Sequence, residues 1–318
     1  MTRYVVCGAT GFMGRNIVDR LAARFPGRVL GTYFRSKPPK VDGADWIKAD
    51  LCSSEAVSDL FQAGDMVIQV AASTSGARDT VERPYVHVTD NAVINSLLLR
   101  AAFEKSVGHF IFLSCPVMYP SDLGRALKED DFPGAIPVEY QHFGSGWTKV
   151  YIEKVCQFYA KLGRTRHTVI RHSNTYGPYD KFRLEGSHMY AATVAKVMRA
   201  PADGEITVWG PGTEGRDLIY VGDVVDLVTK ALEEQQTPFE LVNAGGGRAY
   251  TVNEVVQTII EASGKKLSIR HDLTQPHIPT TTWLDSARAE QLFNWRPKTS
   301  LQEGTALTLD WYGRNCTV

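Results

Sequence analysis

Short apolar runs alternate with helical patterns through the first half of the chain. The runs are rich in Val, Ile and Phe, as is typical of parallel strands buried on both faces. Between them, apolar residues recur at the spacing of an amphipathic helix. The predicted strands include residues 29–34, 66–71, 109–114 and 167–171, and the predicted helices include residues 91–103. This alternation predicts an α/β fold with a doubly wound parallel sheet, whose strand carboxyl ends open onto one crevice.

The pattern loosens in the second half. Residues 204–215 are rich in Gly and Pro, residues 216–221 are a predicted strand that leads into a helix, and residues 251–263 and 286–293 are predicted helices. Because a chain of 318 residues is long for a single hydrophobic core, we expect two lobes with a ligand between them. The sheet lobe is assigned residues 1–177 and 216–242, and a smaller mixed α/β lobe is assigned residues 178–215 and 243–318.

Charge and composition exclude several classes of partner. The 35 Lys and Arg residues balance the 35 Asp and Glu residues, so no net field attracts nucleic acid or an anionic membrane, and an anionic substrate must be met by local cations. No apolar stretch approaches the ~20 residues that span a bilayer, so we expect a soluble, cytoplasmic protein. The 5 Cys residues lack the spacing of a disulfide framework or a metal site.

Three glycines mark the first junction between a strand and a helix. Gly8, Gly11 and Gly14 follow a short strand around Val5 and Val6 and open an amphipathic helix. Such glycines allow a tight turn, let backbone N–H groups approach a pyrophosphate, and let the helix pack on the sheet. The phosphates then rest on the positive end of the helix dipole. The spacing therefore predicts a dinucleotide site, with an ordinary structural turn as the alternative.

Motifs along nearly the whole chain resemble the extended short-chain dehydrogenase/reductases, a family of nucleotide-sugar epimerases, dehydratases and reductases. The matching residues are Gly8-Ala9-Thr10-Gly11-Phe12-Met13-Gly14, Asp50-Leu51, Val70-Ala71-Ala72, Asn91, Tyr119, Lys149, Asn174-Thr175-Tyr176-Gly177-Pro178 and Arg216-Asp217-Leu218-Ile219-Tyr220-Val221. The resemblance implies a Rossmann lobe and a homodimer formed by two long helices of each subunit. The cofactor contacts that it implies are Gly8, Gly11, Phe12, Met13, Gly14, Asp50, Leu51, Ala71, Ala72, Asn91 and Lys149. Residues 171–180, 187–188 and 208–213 are most similar to the GDP-fucose synthases, which epimerise and reduce a GDP-4-keto-6-deoxyhexose.

The end of the second predicted strand bears on which dinucleotide binds. NAD-preferring units usually carry an acid there, whereas this chain has Tyr33, followed by Arg35 and Lys37. The missing acid and the added cations favour a 2′-phosphate, so we expect NADP, with NAD possible. A solvated basic loop is the alternative. Asp50 resembles the adenine contact of the family but could instead cap the next helix, and Ala71-Ala72 could equally serve in packing.

The catalytic positions depart from the family pattern. Lys149 matches the family lysine that binds the nicotinamide ribose and lowers the pKa of a tyrosine four residues earlier, but here that position is Ser145. A serine hydroxyl is too weak an acid to exchange a proton with a sugar alkoxide at neutral pH. Four residues before Tyr119, Cys115 replaces the catalytic Ser or Thr. Cys115, beside an ammonium, or Tyr140 could substitute as the acid or base, although a buried cysteine is often inert.

The substrate side of the resemblance also mixes matches with departures. Val117 stands where GDP-fucose synthases carry an epimerising cysteine. His188 matches their other epimerisation residue, with a helix cap or a surface residue as the alternative. Arg216 matches an arginine that meets the substrate diphosphate, with a surface arginine as the alternative. Asn174 resembles a diphosphate contact or is a turn former. Trp209, in the similar segment 208–213, completes the predicted substrate-binding set.

Together these features predict a two-lobed enzyme that acts on a nucleotide-diphospho-sugar, expected to be a GDP-sugar, by hydride transfer at a ring carbon. One alternative is a 4-epimerase or dehydratase that retains and recycles its cofactor. Another is a weakly catalytic or non-catalytic dinucleotide-binding protein, in which Ser145 marks redox chemistry that has been lost. Hydride exchange between the cofactor and a nucleotide sugar would distinguish these alternatives.

Overall fold

The structure is a computed structural model that describes residues 2–73, 83, 85, 88–132, 134, 138, 142–184, 186–275 and 278–316. The strands are β1 (Tyr4–Cys7), β2 (Val29–Tyr33), β3 (Ala44–Lys48), β4 (Met66–Gln69), β5 (His109–Ser114), β6 (Arg166–His172), β7 (Asn174–Tyr176), β8 (Glu205–Trp209), β9 (Gly215–Tyr220), β10 (Phe239–Ala244), β11 (Ala249–Thr251) and β12 (Ser268–Asp272). The helices are α1 (Phe12–Arg24), α2 (Ser54–Ser58), α3 (Thr89–Glu104), α4 (Phe143–Lys161), α5 (Met189–Arg199), α6 (Val221–Glu234), α7 (Val252–Ser263), α8 (Ala287–Phe293) and α9 (Leu301–Asn315).

Seven strands form the parallel sheet that the sequence predicts. Their order is β10-β6-β5-β4-β1-β2-β3, and every neighbouring pair is parallel. The prediction of a doubly wound α/β fold is therefore confirmed. The strand predicted at 66–71 ends at Gln69, so Ala71 lies beyond the sheet edge. The edge strand β3 is largely exposed, and this explains why its apolar signal is weak.

Helices cover both faces of this sheet because alternate strand residues point to opposite sides. Val6 packs in a core shared with α1, α6 and α8, whereas Val5 packs in a second core shared with α2, α3 and α4. All six residues of β5 are buried between these layers. The carboxyl ends of the central strands are thereby fixed along one edge of the sheet, where ligands of such folds bind.

Five strands form two smaller sheets. One sheet has the order β11-β9-β7, and the other pairs β12 with β8. Their core includes side chains from α5, α7 and α9. Between β9 and β11 the chain returns to the large sheet to add α6 and β10, so the two parts are interleaved along the sequence. In the parts of the chain that the structure describes, no helix combines the length and the apolar character needed to cross a membrane.

Candidate functional site

The loop after β1 is shaped by its glycines. Gly8 has φ +82°, and a Cβ atom there would lie 2.6 Å from Ala71 Cα. A Cβ on Gly14 would lie 2.7 Å from Ala9 Cα and closer still to the carbonyl oxygen of Gly8. The Gly8 N–H donates to Thr32 Oγ1 at 2.9 Å, which fixes the loop on β2. The loop thus forms a cradle that only residues without side chains can line, at the N-terminus of α1.

The end of β2 presents a cation beside an aromatic ring. Tyr33 is the last residue of β2, and Phe34 and Arg35 follow it at the surface. The Arg35 guanidinium lies 5.6 Å from the centroid of the Phe34 ring. This contact holds a positive charge where an acid would contact the ribose in an NAD-preferring unit.

Asp50 lies in a turn after β3 rather than at a helix cap. Its Oδ1 atom accepts a hydrogen bond from the Cys52 N–H at 3.0 Å. The N-cap of α2 is Ser53, whose hydroxyl accepts from the Ala56 N–H. The alternative of Asp50 as a helix cap is therefore wrong. Leu51 is buried in the core shared with α2 and α3.

Asn91 clamps the segment that follows β4. Its amide accepts from the Ser73 N–H at 2.8 Å and donates to the Ser73 carbonyl oxygen at 3.1 Å. Gln69 Nε2 also donates to the carbonyl of Ala71 at 2.9 Å. In this structure Asn91 thus positions the backbone around Ala71 and Ala72, which lies against the glycine loop.

Lys149 reaches from α4 to the end of β5. Its Nζ atom lies 3.4 Å from the carbonyl oxygen of Leu113 and 4.7 Å from the centroid of the Phe112 ring. Cys115, one residue beyond β5, is half-buried. The Ser145 hydroxyl lies one turn before Lys149 on α4 and donates to the carbonyl of His142 at 3.3 Å. Tyr140 lies outside the described residues.

A buried polar network lies next to this edge of the sheet. Glu153 on α4 accepts hydrogen bonds from the Ser114 hydroxyl at 2.6 Å and from the Arg171 guanidinium at 2.6 Å. Arg171 also donates to the Tyr119 hydroxyl, which in turn donates to Asn243, each at 2.8 Å. Burial raises the pKa of Tyr119 to about 12. The network joins α4, β5, β6 and β10, and its tyrosine is held as a structural hydrogen-bond donor.

Arg216 is committed to a neighbouring segment. Its guanidinium donates to the carbonyl oxygens of Gly215, Thr280 and Ile278 at 2.6 to 2.8 Å. Burial lowers its pKa. The side chain therefore ties residues 278–280 to β9, which sequence reasoning did not foresee. Asn174 is exposed, and its amide donates to the carbonyl of Asp217 at 3.0 Å, which bridges β7 and β9.

Trp209 and Lys196 form a second aromatic and cationic pair. Trp209, the last residue of β8, is 42% exposed. The Lys196 ammonium lies 5.8 Å from the centroid of the indole ring and donates to the carbonyl of Thr207 at 2.7 Å. Lys196 is absent from the predicted site, because its place on the polar side of a helix also suits a solvated lysine.

The histidine predicted for the substrate side lies at the start of α5. His188 is the N-cap residue of that helix and is exposed, and its side chain makes no capping hydrogen bond there. It has two polar neighbours that sequence reasoning missed, His172 at the end of β6 and the buried Asp180. Burial lowers the pKa of His172 to about 4, with smaller contributions from Lys149 and His188. His188 thus acts electrostatically on both His172 and Asp180, and Lys149 acts on His172.

Comparison with a protein family and with curated proteins agrees with this geometry. The NAD-dependent epimerase/dehydratase family matches residues 4–245. The GDP-L-fucose synthase of Azorhizobium caulinodans is 27% identical over 98% of this chain and 96% of its own length. The GDP-L-colitose synthase of Yersinia pseudotuberculosis is 23% identical over 98% of this chain and 97% of its own.

Solved structures share the fold along the whole chain. A UDP-glucose 4-epimerase of Thermus thermophilus in complex with NAD is 25% identical, with a TM-score of 0.81 over 99% of this chain and 100% of that one. A UDP-glucose 4-epimerase of Thermotoga maritima with UDP-glucose is 24% identical, with a TM-score of 0.86 over 99% and 100% of the two chains.

Proposed function

Because the chain belongs to the NAD-dependent epimerase/dehydratase family, we propose that it is an oxidoreductase or epimerase that transfers hydride at a hexose ring carbon of a nucleotide sugar. A GDP-sugar is the expected substrate, since GDP-L-fucose synthases are among the curated relatives. The observation that carries the proposal is the glycine cradle at α1 together with Lys149, which points at the adjacent end of β5.

A dinucleotide fits the residues of the cradle. Gly8 and Gly14 let the loop pack closely against Ala71 and against itself, and the N-terminus of α1 that follows this loop suits a pyrophosphate. Asp50, Leu51 and Asn91 complete the proposed binding set, with Asn91 acting through the Ser73 backbone. Arg35 would meet the 2′-phosphate of NADP, which we propose over NAD. When bound, the nicotinamide supplies the hydride donor or acceptor.

Proton transfer falls to groups other than Ser145. The serine hydroxyl can donate a hydrogen bond to a sugar oxygen, but it cannot act as an acid or base near neutral pH. The Lys149 ammonium would stabilise negative charge that develops on that oxygen. We propose Cys115, His188 or Tyr140 as the group that exchanges the proton.

The nucleotide end of the substrate would lie on the smaller sheets. The exposed indole face of Trp209 suits stacking with a base, and Lys196 adds a cation beside it. Asn174 and Arg216 are the proposed diphosphate contacts. Arg216 already donates to three carbonyls, so it would meet a phosphate with its remaining N–H groups or after the 278–280 segment moves.

We propose that the protein forms a homodimer through the outer face of α3 and α4. Tyr151, Phe158 and Leu162 are 48%, 56% and 47% exposed, and Val93 on α3 is also exposed. Tyr151 and Phe158 lie on α4 and Leu162 caps its end, and together they form an exposed apolar stripe that faces away from the sheet. An unpartnered stripe of this kind suits a second copy of the same helices.

Deuterium transfer tests the function directly. The purified protein would be incubated with 4-deuterated NADPH or NADH and a GDP- or UDP-4-ketohexose, and separately with NADP⁺ or NAD⁺ and a 4-deuterated GDP- or UDP-hexose. Mass spectrometry would measure deuterium in the sugar in the first case and in the cofactor in the second. Transfer to or from a GDP-sugar supports the proposal. The presence of serine at position 145, where the family has tyrosine, favours a second candidate: a dinucleotide-binding protein without redox activity. Cofactor binding without any deuterium transfer would support that candidate instead.

A further inference from the structure

The turn between β7 and α5 is held in an uncommon backbone conformation. Tyr179, which is not glycine, has φ 69°. Two residues of α1 fix it in place, since Asn16 donates to the carbonyl of Pro178 at 2.9 Å and the Arg15 guanidinium lies 5.1 Å from the Tyr179 ring centroid. Trp311 on α9 packs against the same ring at 4.9 Å. A strained residue that its surroundings hold so firmly often marks a functional position.

Asp180, the next residue, carries an unpaired carboxylate oxygen. Its Oδ1 atom accepts the Lys181 N–H at 2.7 Å, whereas Oδ2 is buried and makes no hydrogen bond to the described residues. Asp180 as a whole is only 8% exposed. Burial raises its pKa, and the nearby His188 lowers it. A buried carboxylate oxygen without a partner is costly, so it points to a donor that this arrangement is built to receive.

His172 is not that donor. Its Nδ1 atom lies 2.9 Å from the carbonyl oxygen of Ser173, and a carbonyl can only accept, so Nδ1 carries the proton of the neutral ring. Thr175 Oγ1 lies 2.9 Å from the same nitrogen. The remaining Nε2 atom is then an acceptor and cannot satisfy Asp180. His188, which acts electrostatically on Asp180 and makes no capping bond at α5, has a ring N–H to give.

We propose that Asp180 is a positioning residue for His188: the exposed His188 ring turns toward the buried Oδ2 atom, which then accepts a hydrogen bond from one ring nitrogen and leaves the other nitrogen facing the substrate. A carboxylate in this role selects one imidazole tautomer and stabilises the ring when it takes up a proton. The proposal rests on the proposed function and selects His188 from the three groups named there for proton exchange with the sugar. In this proposal the 179–180 turn positions the group that takes over the proton transfer for which Ser145 is unsuited.

The tautomer of His188 can be measured without turnover. Two-bond ¹H–¹⁵N correlation spectra would be recorded on the full chain at about pH 8.5, where an ordinary histidine is neutral, and His188 would be assigned with His188→Gln. The wild-type ring is expected in one dominant tautomer with a slowly exchanging N–H proton. Asp180→Asn and the near-isosteric Asp180→Leu should both abolish that pattern. Asp223→Asn, at another buried carboxylate, should leave it unchanged.

Kinetics provide the second readout. Asp180→Asn is expected to lower kcat by at least about tenfold, because acid–base groups contribute roughly 10² to 10⁴ in rate. The KM for the nucleotide sugar and the Kd for the cofactor should stay within about twofold, since a positioning residue acts on the proton transfer step. A fall in kcat without a change in the His188 spectrum would contradict the proposal and indicate a structural role.

The two readouts keep this proposal separate from the proposed function. A His188 tautomer that depends on Asp180, in a protein that transfers no deuterium to or from any sugar, supports the pair and rejects the oxidoreductase. Mixed tautomers with fast proton exchange in the wild type overturn the pair, even if neither Asp180 variant folds. Higher stability of Asp180→Leu with an unchanged His188 spectrum would also overturn it, because the unpaired oxygen would then be only a defect.

Discussion

Single residues decide which chemistry the cleft can perform. Lys149 and Ser145 share one helical turn of α4, and the lysine lies at the end of β5 with no tyrosine at position 145 to act on. In the proposed mechanism Lys149 keeps its electrostatic role while another group acts as acid or base. The proposed preference for NADP also depends on one residue, Arg35, an exposed cation just beyond β2.

Ser145→Tyr is expected to accelerate hydride transfer. A tyrosine beside Lys149 can be tuned into the range for proton exchange, and such groups contribute roughly 10² to 10⁴ in rate. Single-turnover oxidation of NADPH would measure the gain. Ser145→Phe, which adds the ring without the hydroxyl, is the matched control and should show no gain. Equal rates in both variants would mean that position 145 does not face the reacting atoms.

Arg35→Ala is expected to weaken NADPH binding by about tenfold and to leave NADH binding unchanged, because only NADPH carries the phosphate that a guanidinium would meet. Fluorescence titration of both cofactors measures this difference. Arg100→Ala removes an exposed arginine on α3 and should change neither affinity. Equal loss for the two cofactors, or a wild-type preference for NADH, would contradict the charge argument.

The sequence indicates the glycine cradle and Lys149 because backbone requirements and spacing are local. It does not indicate which groups a side chain finally contacts. Arg216 matches a substrate arginine of the family, yet two of its three carbonyl partners lie more than sixty residues further along the chain. Asp180 gives no signal at all, since its unpaired oxygen depends on packing among α1, α5 and α9.

At the scale of elements, β1, its loop and α1 act as one unit. Gly8 contacts the end of β4, and Gly14 packs against the loop itself, so the spacing between strand and helix is fixed by atoms that leave no room for a methyl group. The sequence predicts this unit well because its periodicity and its glycines agree. It predicts the outer face of α4 less well, since an apolar stripe at helical spacing does not reveal which side faces the sheet.

Gly14→Ala is expected to destabilise the protein by about 1 to 3 kcal/mol through overpacking and to abolish cofactor binding. Urea unfolding and NADPH titration measure the two effects. Gly313→Ala is the matched control, because Gly313 lies within α9 and a Cβ there meets no atom within 4 Å. That variant should be slightly more stable than the wild type. Normal NADPH binding by Gly14→Ala would place the cofactor elsewhere.

Phe158→Glu is expected to convert the proposed dimer into a monomer, because a charge would be buried in the apolar stripe of α4. Sedimentation velocity measures the assembly state. Leu307→Glu changes a comparably exposed apolar residue on α9 and should leave the dimer intact. A wild type that sediments as a monomer, or dissociation by the control alone, would reject the α3 and α4 interface.

Across the whole molecule, buried histidines couple folding to pH. His109 and His167 lie at the amino-terminal end of the sheet, and burial lowers their pKa values to about 3 and about 4. An unfolded histidine titrates near 6.5. Below that pH the unfolded chain binds protons that the native sheet does not accept, so this stability is lost as the pH falls toward 4. Asp217 has the opposite effect on the pH dependence of stability, because burial raises its pKa to about 7. Its contribution is lost as the pH rises toward 7.

His167→Phe isolates one of these contributions from the rest. Between about pH 6.5 and 4, the free energy of unfolding of the variant should fall less steeply with decreasing pH than that of the wild type. The two slopes should differ by at most ~1.4 kcal/mol per pH unit. Urea unfolding at a series of pH values measures the two curves. His271→Gln, at an exposed histidine, should run parallel to the wild type. Parallel curves for His167→Phe would show that His167 is protonated equally in both states.

The interleaved chain order has a consequence for biosynthesis. The large sheet is closed by β10, which the ribosome makes only after β7, β8 and β9 of the smaller sheets. Until residue 244 has emerged, β6 is an open edge and the α1 face lacks the cover of α6. Nascent chains with unpaired edges and exposed apolar faces are prone to associate. This protein should therefore depend on chaperone protection through most of its translation, and neither lobe can be released early as a finished unit.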